Sequence, residues 1–281
     1  MSFPSLVTDD GLRLFTRHWR PDGRRRAAVA LVHGYAEHSG RYDHIAETFA
    51  EVGVATYAFD LRGHGQSEGR RVYVDDFDRY LDDLGLFLDK VRAHSPGPLF
   101  LFGHSMGGLI SLAFVLNRHP ELQGLLLSAP ALQVNPDLAP ILRRFARLLG
   151  WVAPTLPTVR SPQGAISRDP KVVADAESDP LNYHGRIPAR TGAELLRVGD
   201  AVRQRLTELT MPFLVLHGTG DRLASVAWSQ QLYEQAAAAD KTLRLYDGLY
   251  HETFNEPENK RVLRDLRNWL TAHLPDTGPT D

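Results

Sequence analysis

The chain changes from a strand pattern to a helical pattern at Pro98-Leu99-Phe100-Leu101-Phe102-Gly103-His104-Ser105-Met106-Gly107. Pro98–Phe102 is apolar enough for a buried strand, and the residues that follow the second glycine have helical spacing to about Arg118. The turn between them fits the pattern G-x-S-x-G, in which both glycines allow close backbone approach around a strained serine. A glycine-rich loop without chemistry could share these letters. The strand before it and the helix after it favour Ser105 as a nucleophile at the carboxyl end of the sheet.

The same alternation of short apolar segments and helical patterns extends in both directions from this turn. The predicted strands are Ala27–Val32, Val54–Phe59, Leu125–Leu127, Phe213–Leu216 and Leu243–Tyr246. The predicted helices are Tyr42–Val52, Phe77–Val91, Val226–Ala239 and Glu258–His273. Strands rich in Val and Leu that alternate with helices predict an α/β protein with a mostly parallel central sheet and helices on both faces. Leu12–Trp19 alternates before the turn Pro21-Asp22-Gly23 and predicts an antiparallel edge strand.

The alternation stops between about Pro130 and Pro188, where prolines are frequent and no strand pattern is recognisable. We therefore expect an α/β core formed by residues 1–129 and 189–281, with residues 130–188 inserted above the sheet as a helical cap, or lid. One cap segment is strongly amphipathic. Its predicted apolar face consists of Leu138, Ile141, Leu142, Phe145, Leu148, Leu149 and Val152, and its predicted basic face consists of Arg143, Arg144 and Arg147.

The composition excludes several classes of function. The 281 residues include no cysteine, so disulfides, thiolate metal sites and a thiol nucleophile are impossible. A net charge of -2 gives no reason to expect nucleic-acid binding. No H-E-x-x-H motif occurs, and His33 and His38 lack the further ligands that a metal site needs. We therefore expect no metal and no other cofactor.

The sequence also bears on location in the cell. The N-terminus lacks the basic start and the apolar run of a signal peptide. No stretch approaches 18 uninterrupted apolar residues, so no transmembrane helix is expected. The absence of cysteine suits a reducing compartment. These features predict a cytoplasmic protein, and peripheral membrane contact stays open.

Ser105 needs a base, and hydrolases with this turn supply the partners in the order Ser, Asp or Glu, His. His251 lies in a predicted loop between the strand Leu243–Tyr246 and the last helix, where an imidazole could reach the serine. Asp221 follows the strand Phe213–Leu216 through a glycine-containing loop at the carboxyl edge of the sheet. The rival candidates have structural interpretations. Asp247 and Asp240 are expected to form turns. His217 ends a predicted strand, and His273 lies inside the last predicted helix.

These three residues define a predicted mechanism. His251 would take the Ser105 proton as the oxygen attacks an ester carbonyl, while Asp221 would orient the imidazole and stabilise the imidazolium. The developing oxyanion needs backbone donors. The N–H of Met106 is one candidate, and the loop after the first buried strand supplies the other, most simply the N–H of Tyr35.

The most specific motif, H-G-x-x-E-H-S-G-R-Y, spans His33–Tyr42. Together with Gly63–Gly69, Gly103–Gly108, Leu216–Asp221 and Tyr250–Glu252, it resembles the monoacylglycerol lipases, a lysophospholipase-like family, over nearly the whole chain. This resemblance implies the α/β-hydrolase fold and hydrolysis of monoacylglycerols to fatty acid and glycerol. The five residues after the aspartate, Arg-Leu-Ala-Ser-Val, depart from the family, where many members have Val and Pro.

By this resemblance the catalytic residues are Ser105, Asp221 and His251, and the oxyanion-hole residues are Tyr35 and Met106. The resemblance places Glu37 and Arg41 near the alcohol end of the substrate pocket. An ion pair that simply holds the loop explains these two residues equally well. The cap would receive the acyl chain, with apolar side chains toward an acyl tunnel. A basic outer side of the cap would favour transient contact with anionic lipid surfaces, although simple packing on the core also explains the amphipathic segment.

Other functions share parts of this pattern. A general carboxylesterase or a lysophospholipase would use the same three residues. An epoxide hydrolase or a dehalogenase would need a carboxylate in place of Ser105. A binding protein that has lost catalysis would typically lack a triad member, and all three are present here. An acyltransferase would use an alcohol instead of water with the same residues.

Overall fold

The computed structural model describes residues 4–133, 140–160 and 162–275, with the side chains of all of these except residues 140–144 and 163. The strands are β1 (Leu6–Val7), β2 (Arg13–Leu14), β3 (Thr16–Trp19), β4 (Ala27–Val32), β5 (Val54–Phe59), β6 (Leu99–His104), β7 (Gly124–Ser128), β8 (Phe213–Gly218) and β9 (Lys241–Tyr246). Within the described ranges, seven of them form the central sheet in the order β3-β5-β4-β6-β7-β8-β9. β3 is antiparallel to β5, and all other neighbours in this sheet are parallel.

Helices connect the parallel strands, and others lie in the long segment between β7 and β8. They are α1 (Asp43–Ala50), α2 (Asp78–His94), α3 (Met106–Arg118), α4 (Pro140–Val152), α5 (Pro170–Ser178), α6 (Ala189–Arg203), α7 (Val226–Gln235) and α8 (Asn259–His273). The helix α6 was not anticipated from the sequence. None of the helices in the described part of the chain has the length and apolar character that a membrane crossing requires.

Two apolar clusters lie on opposite faces of the sheet. One contains side chains of α2, α3, α6 and α7, and the other contains side chains of α1 and α8. Every residue of β4, β5, β6, β7 and β8 is buried, because these strands are covered on both faces. The expected mostly parallel sheet with helices on both faces is therefore confirmed.

The predicted edge segment Leu12–Trp19 divides in two. Its second half is β3, the expected antiparallel edge strand, whereas β2 pairs with β1 outside the main sheet. The division falls at Phe15, whose N–H is donated to Ser67 Oγ at 2.9 Å. The carbonyl of Phe15 accepts the N–H of Asp60, also at 2.9 Å. The loop after β5 thus takes up the hydrogen bonds that would have continued a single strand.

The segment between β7 and α6 lies outside the strand-helix alternation, as the prolines suggested. Its described residues contain no strand, only an isolated bridge between Pro157 and Pro188. Two contacts hold it against the loop after β4. Tyr183 N donates to Ala36 O at 2.9 Å, and His38 Nε2 lies 2.8 Å from Asp179 Oδ2.

The helix α4 exposes apolar side chains that are expected to face inward. Its exposed apolar side chains are Phe145 at 61%, Leu148 at 56%, Trp151 at 76% and Val152 at 65%. Arg147 instead pairs with Asp200 of α6. The prediction of an inward apolar side is wrong for Phe145, Leu148 and Val152, whereas Arg147 is 44% exposed, as expected for a basic outer side. An amphipathic pattern shows which side chains share a face and not which face turns inward. Other members of the predicted faces lie outside the described side chains, namely Leu138, Ile141, Leu142, Arg143 and Arg144.

Candidate active site

Ser105 occupies the turn between β6 and α3. Its backbone has a φ of 52° and a ψ of -116°, a conformation that L-residues rarely adopt. Two glycines make the turn possible. A Cβ on Gly107 would lie 2.2 Å from Val32 O, and one on Gly103 would lie 2.5 Å from Gly107 O. The spacing G-x-S-x-G therefore reflects close backbone contact on both sides of the serine.

The structure brings Ser105, His251 and Asp221 together in one hydrogen-bonded line. His251 Nε2 lies 2.8 Å from Ser105 Oγ, and His251 Nδ1 lies 2.7 Å from Asp221 Oδ2. Because a carboxylate only accepts, His251 Nδ1 carries a proton and Nε2 is the acceptor for the serine hydroxyl. The three side chains come from different loops at the carboxyl edge of the sheet, after β6, β8 and β9.

Asp221 lies in a fully buried position with several donors. Its Oδ1 accepts the backbone N–H of Leu223 at 2.7 Å and that of Ala224 at 3.1 Å. His217 Nε2 lies 2.9 Å from Oδ2, the oxygen that also faces His251. Burial alone would raise the pKa of Asp221, but His251 and His217 outweigh it and hold the pKa well below its usual range. The carboxylate is therefore charged throughout the working pH range.

His251 is also buried, and its surroundings favour the protonated ring. Burial by itself lowers the pKa of His251, but the adjacent Asp221 carboxylate outweighs this and raises the pKa above the ordinary value. Neighbouring His104 behaves differently. Burial first, and then the charge of His251, lower the pKa of His104 to about 4, so its ring is neutral near pH 7.

The two predicted oxyanion-hole donors lie beside Ser105. Met106 is the first residue of α3, so its N–H is among those that a helix leaves without an intrahelical acceptor. Tyr35 lies in the loop after β4, and Glu37 braces this loop. Glu37 Oε1 accepts the N–H of Gly34 at 2.6 Å. Both Tyr35 and Met106 line the same cavity as Ser105.

Glu37 and Arg41 form a buried ion pair that a second carboxylate completes. Arg41 donates to Glu37 Oε2 at 2.9 Å, and to Glu252 through two hydrogen bonds of 2.6 and 2.8 Å. Burial raises the pKa of Glu37, but Arg41 together with nearby histidines and the Tyr42 hydroxyl outweighs burial and lowers the pKa to about 2. Both sequence interpretations of Glu37 and Arg41 therefore have support, since the residues pair with each other and also line the cavity.

The rival candidates of the sequence analysis take other positions. Asp247 Oδ1 accepts the hydroxyl proton of Thr219 at 3.1 Å. Asp240 lies 2.9 Å from His273 Nε2 at the end of α8. Neither carboxylate has a hydrogen bond to His251 in the described part of the chain.

A cavity of about 550 Å³ is lined by Ser105, His251 and the Glu37–Arg41–Glu252 cluster. This volume falls within the range of small-molecule sites, roughly 300–1,000 Å³. The Glu37–Arg41–Glu252 cluster makes one part of the wall charged and able to form hydrogen bonds. The remaining wall has an apolar part, which includes Ala131, Val159, Pro162, Ile166, Ile187 and Leu195.

Across the described ranges, no group of three or more histidine and acidic side chains is arranged to hold a metal ion. His33 has two other contacts, from Nδ1 to Gly34 O at 2.7 Å and from Leu61 N to Nε2 at 2.9 Å. These contacts fix the ring as part of the loop after β4.

Known proteins resemble the chain over most of its length. The family model described as serine aminopeptidase, S33, matches residues 23–258. A monoacylglycerol lipase of Mycolicibacterium smegmatis is 42% identical over 94% of this chain and 95% of that protein. The chain belongs to the monoacylglycerol lipase family. A monoglyceride lipase of Rattus norvegicus is 37% identical over 98% of this chain and 92% of that protein.

A solved structure extends the family assignment to three dimensions. The monoacylglycerol lipase of Paleococcus ferrophilus superposes with a TM-score of 0.83 at 31% identity, covering 92% of this chain and 99% of that one. The predicted α/β-hydrolase fold is thus confirmed. Monoacylglycerol lipases are carboxylic ester hydrolases, and the chain is an enzyme of this class.

Two residues of this network were not recognised from the sequence. The sequence shows Glu252 only as the neighbour of His251 and His217 only as the end of a predicted strand. The available signals were their positions, since one adjoins the predicted base and the other ends the strand that leads to Asp221. Position alone does not identify the partner of Glu252, because Arg41 lies 211 positions away. His217 lies only four positions from Asp221, but a strand end does not show in which direction its side chain points.

Proposed function

We propose that the enzyme hydrolyses monoacylglycerols to a free fatty acid and glycerol through an acyl-enzyme on Ser105. The observation that carries this proposal is the continuous line Ser105–His251–Asp221, with contacts of 2.8 and 2.7 Å, at the wall of a cavity with polar and apolar parts. The similarity to monoacylglycerol lipases supports the same substrate class.

The reaction follows from the proton positions. His251 Nε2 accepts the hydroxyl proton as Ser105 Oγ attacks the ester carbonyl carbon, and Asp221 stabilises the resulting imidazolium. The tetrahedral intermediate collapses when His251 gives that proton to the leaving glycerol oxygen. Water then loses a proton to His251 and attacks the acyl-enzyme, and the returning proton regenerates the Ser105 hydroxyl as the fatty acid leaves.

We assign the stabilisation of the oxyanion to the backbone N–H groups of Tyr35 and Met106. Removal of one such donor typically costs about 3 kcal/mol of transition-state stabilisation. The start of α3 adds the positive end of the helix dipole at Met106. The brace from Glu37 to Gly34 N supports this assignment, because it holds the loop that carries the Tyr35 donor.

We assign the two parts of the cavity wall to the two parts of the substrate. Glu37, Arg41 and Glu252 would face the glycerol hydroxyls, which are good hydrogen-bond partners for charged groups. The apolar walls would receive the acyl chain. We further propose that residues 130–188 act as the cap of a core formed by residues 1–129 and 189–281.

The outer surface of the cap supports a proposal of transient lipid-surface contact. Phe145, Leu148, Trp151 and Val152 of α4 are each more than half exposed. They share one side of the helix, since they fall within about one third of its circumference at 100° per residue. An exposed apolar patch of this kind is typical of surfaces that meet another apolar phase, and monoacylglycerols reside in such a phase.

The test is the release of glycerol from 1-monooleoylglycerol by purified enzyme, with Ser105→Ala as the control. We expect release by the wild type and none by the variant. Cleavage of a short nitrophenyl ester without glycerol release would contradict the substrate and favour a general carboxylesterase. Faster cleavage of lysophosphatidylcholine than of monooleoylglycerol would favour a lysophospholipase.

A further inference from the structure

Asp221 has a second imidazole neighbour that the three-residue mechanism leaves without a task. His217 Nε2 lies 2.9 Å from Asp221 Oδ2, the oxygen that His251 Nδ1 contacts at 2.7 Å. The side chains of His217 and Asp221 are both 0% exposed. Because no water reaches this contact, the protein must supply every donor that the carboxylate receives.

Ser229 fixes the proton positions on His217. Since Asp221 only accepts, His217 Nε2 carries the proton that lies between them. His217 Nδ1 lies 2.7 Å from Ser229 Oγ, and the serine is completely buried within α7. A neutral imidazole with a proton on Nε2 accepts at Nδ1, so Ser229 donates its hydroxyl proton there. The ring therefore has one defined tautomer and one defined orientation.

The donors around Asp221 divide evenly between its oxygens. Oδ1 receives two backbone N–H groups, from Leu223 and Ala224. Oδ2 receives the two imidazoles, His251 on the side of the cavity and His217 on the side of α7. With four donors the plane of the carboxylate is fixed, whereas loss of His217 would leave Oδ2 held only by the ring that moves a proton during the reaction.

We propose that His217 is a positioning residue, whose Nε2–H holds Asp221 in the orientation that His251 requires and whose own tautomer is set by Ser229. The proposal rests on the proposed function, because it presumes that Asp221 orients His251 during ester hydrolysis. The residues that line the cavity include Ser105 and His251 but not His217. His217 therefore acts through Asp221 and not on the substrate.

Two consequences distinguish this role from simple packing. A carboxylate that can rotate orients His251 poorly, so kcat falls while KM for a bound ester changes little. A carboxylate with one donor fewer also concentrates its negative charge on Oδ2, which strengthens its attraction for the imidazolium. The pKa of His251 then rises further, and the acid limb of the pH profile moves to higher pH.

The experiment compares His217→Leu, His217→Gln and Ser229→Ala with the wild type. Glutamine can place an amide N–H near the position of the imidazole Nε2, so it keeps the donor that leucine removes. The matched control is His273→Leu, since His273 Nε2 lies 2.9 Å from Asp240 in another histidine–aspartate pair, and neither residue lines the cavity. Active protein is counted by fluorophosphonate titration, and kcat, KM and the pH profile are measured with a soluble nitrophenyl ester.

For His217→Leu we expect a loss of about 10- to 100-fold in kcat, the size known for outer hydrogen-bond partners of reacting groups. KM should stay within about twofold. The acid midpoint should move upward by about half a pH unit. His217→Gln should restore most of kcat and the midpoint. Ser229→Ala should shift both quantities in the same direction by less, and His273→Leu should match the wild type in both.

Wild-type kcat and acid midpoint in folded His217→Leu would overturn the proposal. Equal losses in the leucine and glutamine variants with an unmoved midpoint would overturn it too, because packing alone explains that result. If His217→Leu does not fold, an unchanged kcat and midpoint in Ser229→Ala decides against the proposal. Asp221→Ala distinguishes failure of the proposed triad from failure of the proposal for His217. Wild-type turnover in Asp221→Ala would refute the triad itself. Loss of turnover would leave the triad intact and the test of His217 valid.

Discussion

The carboxyl edge of the sheet and the helix α4 depart from the usual distribution of side chains in opposite ways. At the edge, ionisable groups are buried, with Asp221 at 0% and Glu37 at 7% side-chain exposure. On α4, Phe145 is 61% exposed and Trp151 is 76% exposed. Charged groups rarely lie inside a protein and large apolar groups rarely cluster outside without a function. Buried charge therefore needs a complete set of partners within the chain, whereas a cluster of exposed apolar side chains is suited to a partner from outside it.

Loss of the nucleophile should have the strongest consequence, and it tests whether Ser105 and His251 act as one unit. Ser105→Ala should lower kcat by about a million-fold, and adding His251→Ala should cost little more, because the residues of a triad do not contribute independently. Ser111→Ala is the control, since Ser111 is a buried serine of α3 whose hydroxyl donates to Gly107 O and not to His251. Its turnover should equal that of the wild type. Losses that multiply in the double variant would contradict a concerted unit.

The positions of the candidate catalytic residues at the carboxyl edge of the sheet could be predicted, because each position depends on a strand that local sequence reveals. The strands Ala27–Val32 and Val54–Phe59 begin and end where the apolar runs do. Ser105, Asp221 and His251 each follow a predicted strand, and the carboxyl ends of parallel strands meet at one edge. The contact between Arg41 and Glu252 could not be predicted in this way, because packing alone joins residues 211 positions apart.

The next prediction concerns Arg41, the cation that pairs with two buried carboxylates. Arg41→Met leaves the Glu37 and Glu252 carboxylates, which are 7% and 4% exposed, without their cation. The free energy of unfolding should fall by about 3–5 kcal/mol at neutral pH, the usual cost of removing one partner of a buried ion pair. Urea denaturation measures the loss.

The pH dependence of that loss has a definite sign. In the wild type the pKa of Glu37 is about 2, below its ordinary 4.5, so its contribution to stability is present above pH 4.5 and disappears as the pH falls toward 2. Without Arg41, burial raises the pKa of Glu37, and protonation relieves the unpaired charge. The deficit of Arg41→Met should therefore shrink between pH 7 and pH 5. A deficit that grows on acidification would contradict the assignment.

Arg62→Met provides the matched control for Arg41→Met. Arg62 also lies between two carboxylates, Asp83 at 2.6 Å and Asp10 at 2.9 Å, but away from the cavity that Ser105 lines. Both variants should lose stability. Arg62→Met should keep wild-type kcat in its folded fraction, whereas Arg41→Met should raise KM for monoacylglycerol.

A smaller effect is the pH dependence of the wild type. Because Asp221 raises the pKa of His251 above 6.5, kcat/KM should fall as the pH drops through that raised value, by about tenfold per unit well below it. The stability contribution runs the other way, since it is fully present below 6.5 and is lost as the pH rises through the raised pKa. The pKa of His104 is near 4, so His104 does not share this transition. A flat rate of nitrophenyl ester cleavage from pH 5 to 9 would contradict His251 as the base.

The orientation of helices in the proposed cap could not be predicted from the sequence for a physical reason. Hydrophobic periodicity identifies the members of a helix face, but the direction of that face depends on neighbours. Here Arg147 pairs with Asp200 of α6, a helix that was itself not predicted. Tertiary contact therefore decided the orientation that the sequence pattern left open.

A weaker effect is expected at the exposed apolar surface of α4. Phe145→Ser combined with Trp151→Ser should weaken partition onto phosphatidylcholine vesicles by about tenfold, since each ring can withdraw only part of its surface from water. Turnover of a short soluble ester should stay unchanged, because neither side chain lines the cavity. Vesicle sedimentation measures the partition.

Val7→Ser is the control for that measurement. Val7 is 58% exposed on β1, so its replacement also removes apolar surface, but outside the cap. If the two variants weaken partition equally, the effect follows from general surface hydrophobicity and α4 has no specific role in lipid contact. A loss confined to the α4 variant would show that the helix meets the lipid phase from which monoacylglycerol enters. The exposed face of the cap and the buried charges of the edge would then serve successive steps of one reaction, namely substrate uptake and ester cleavage.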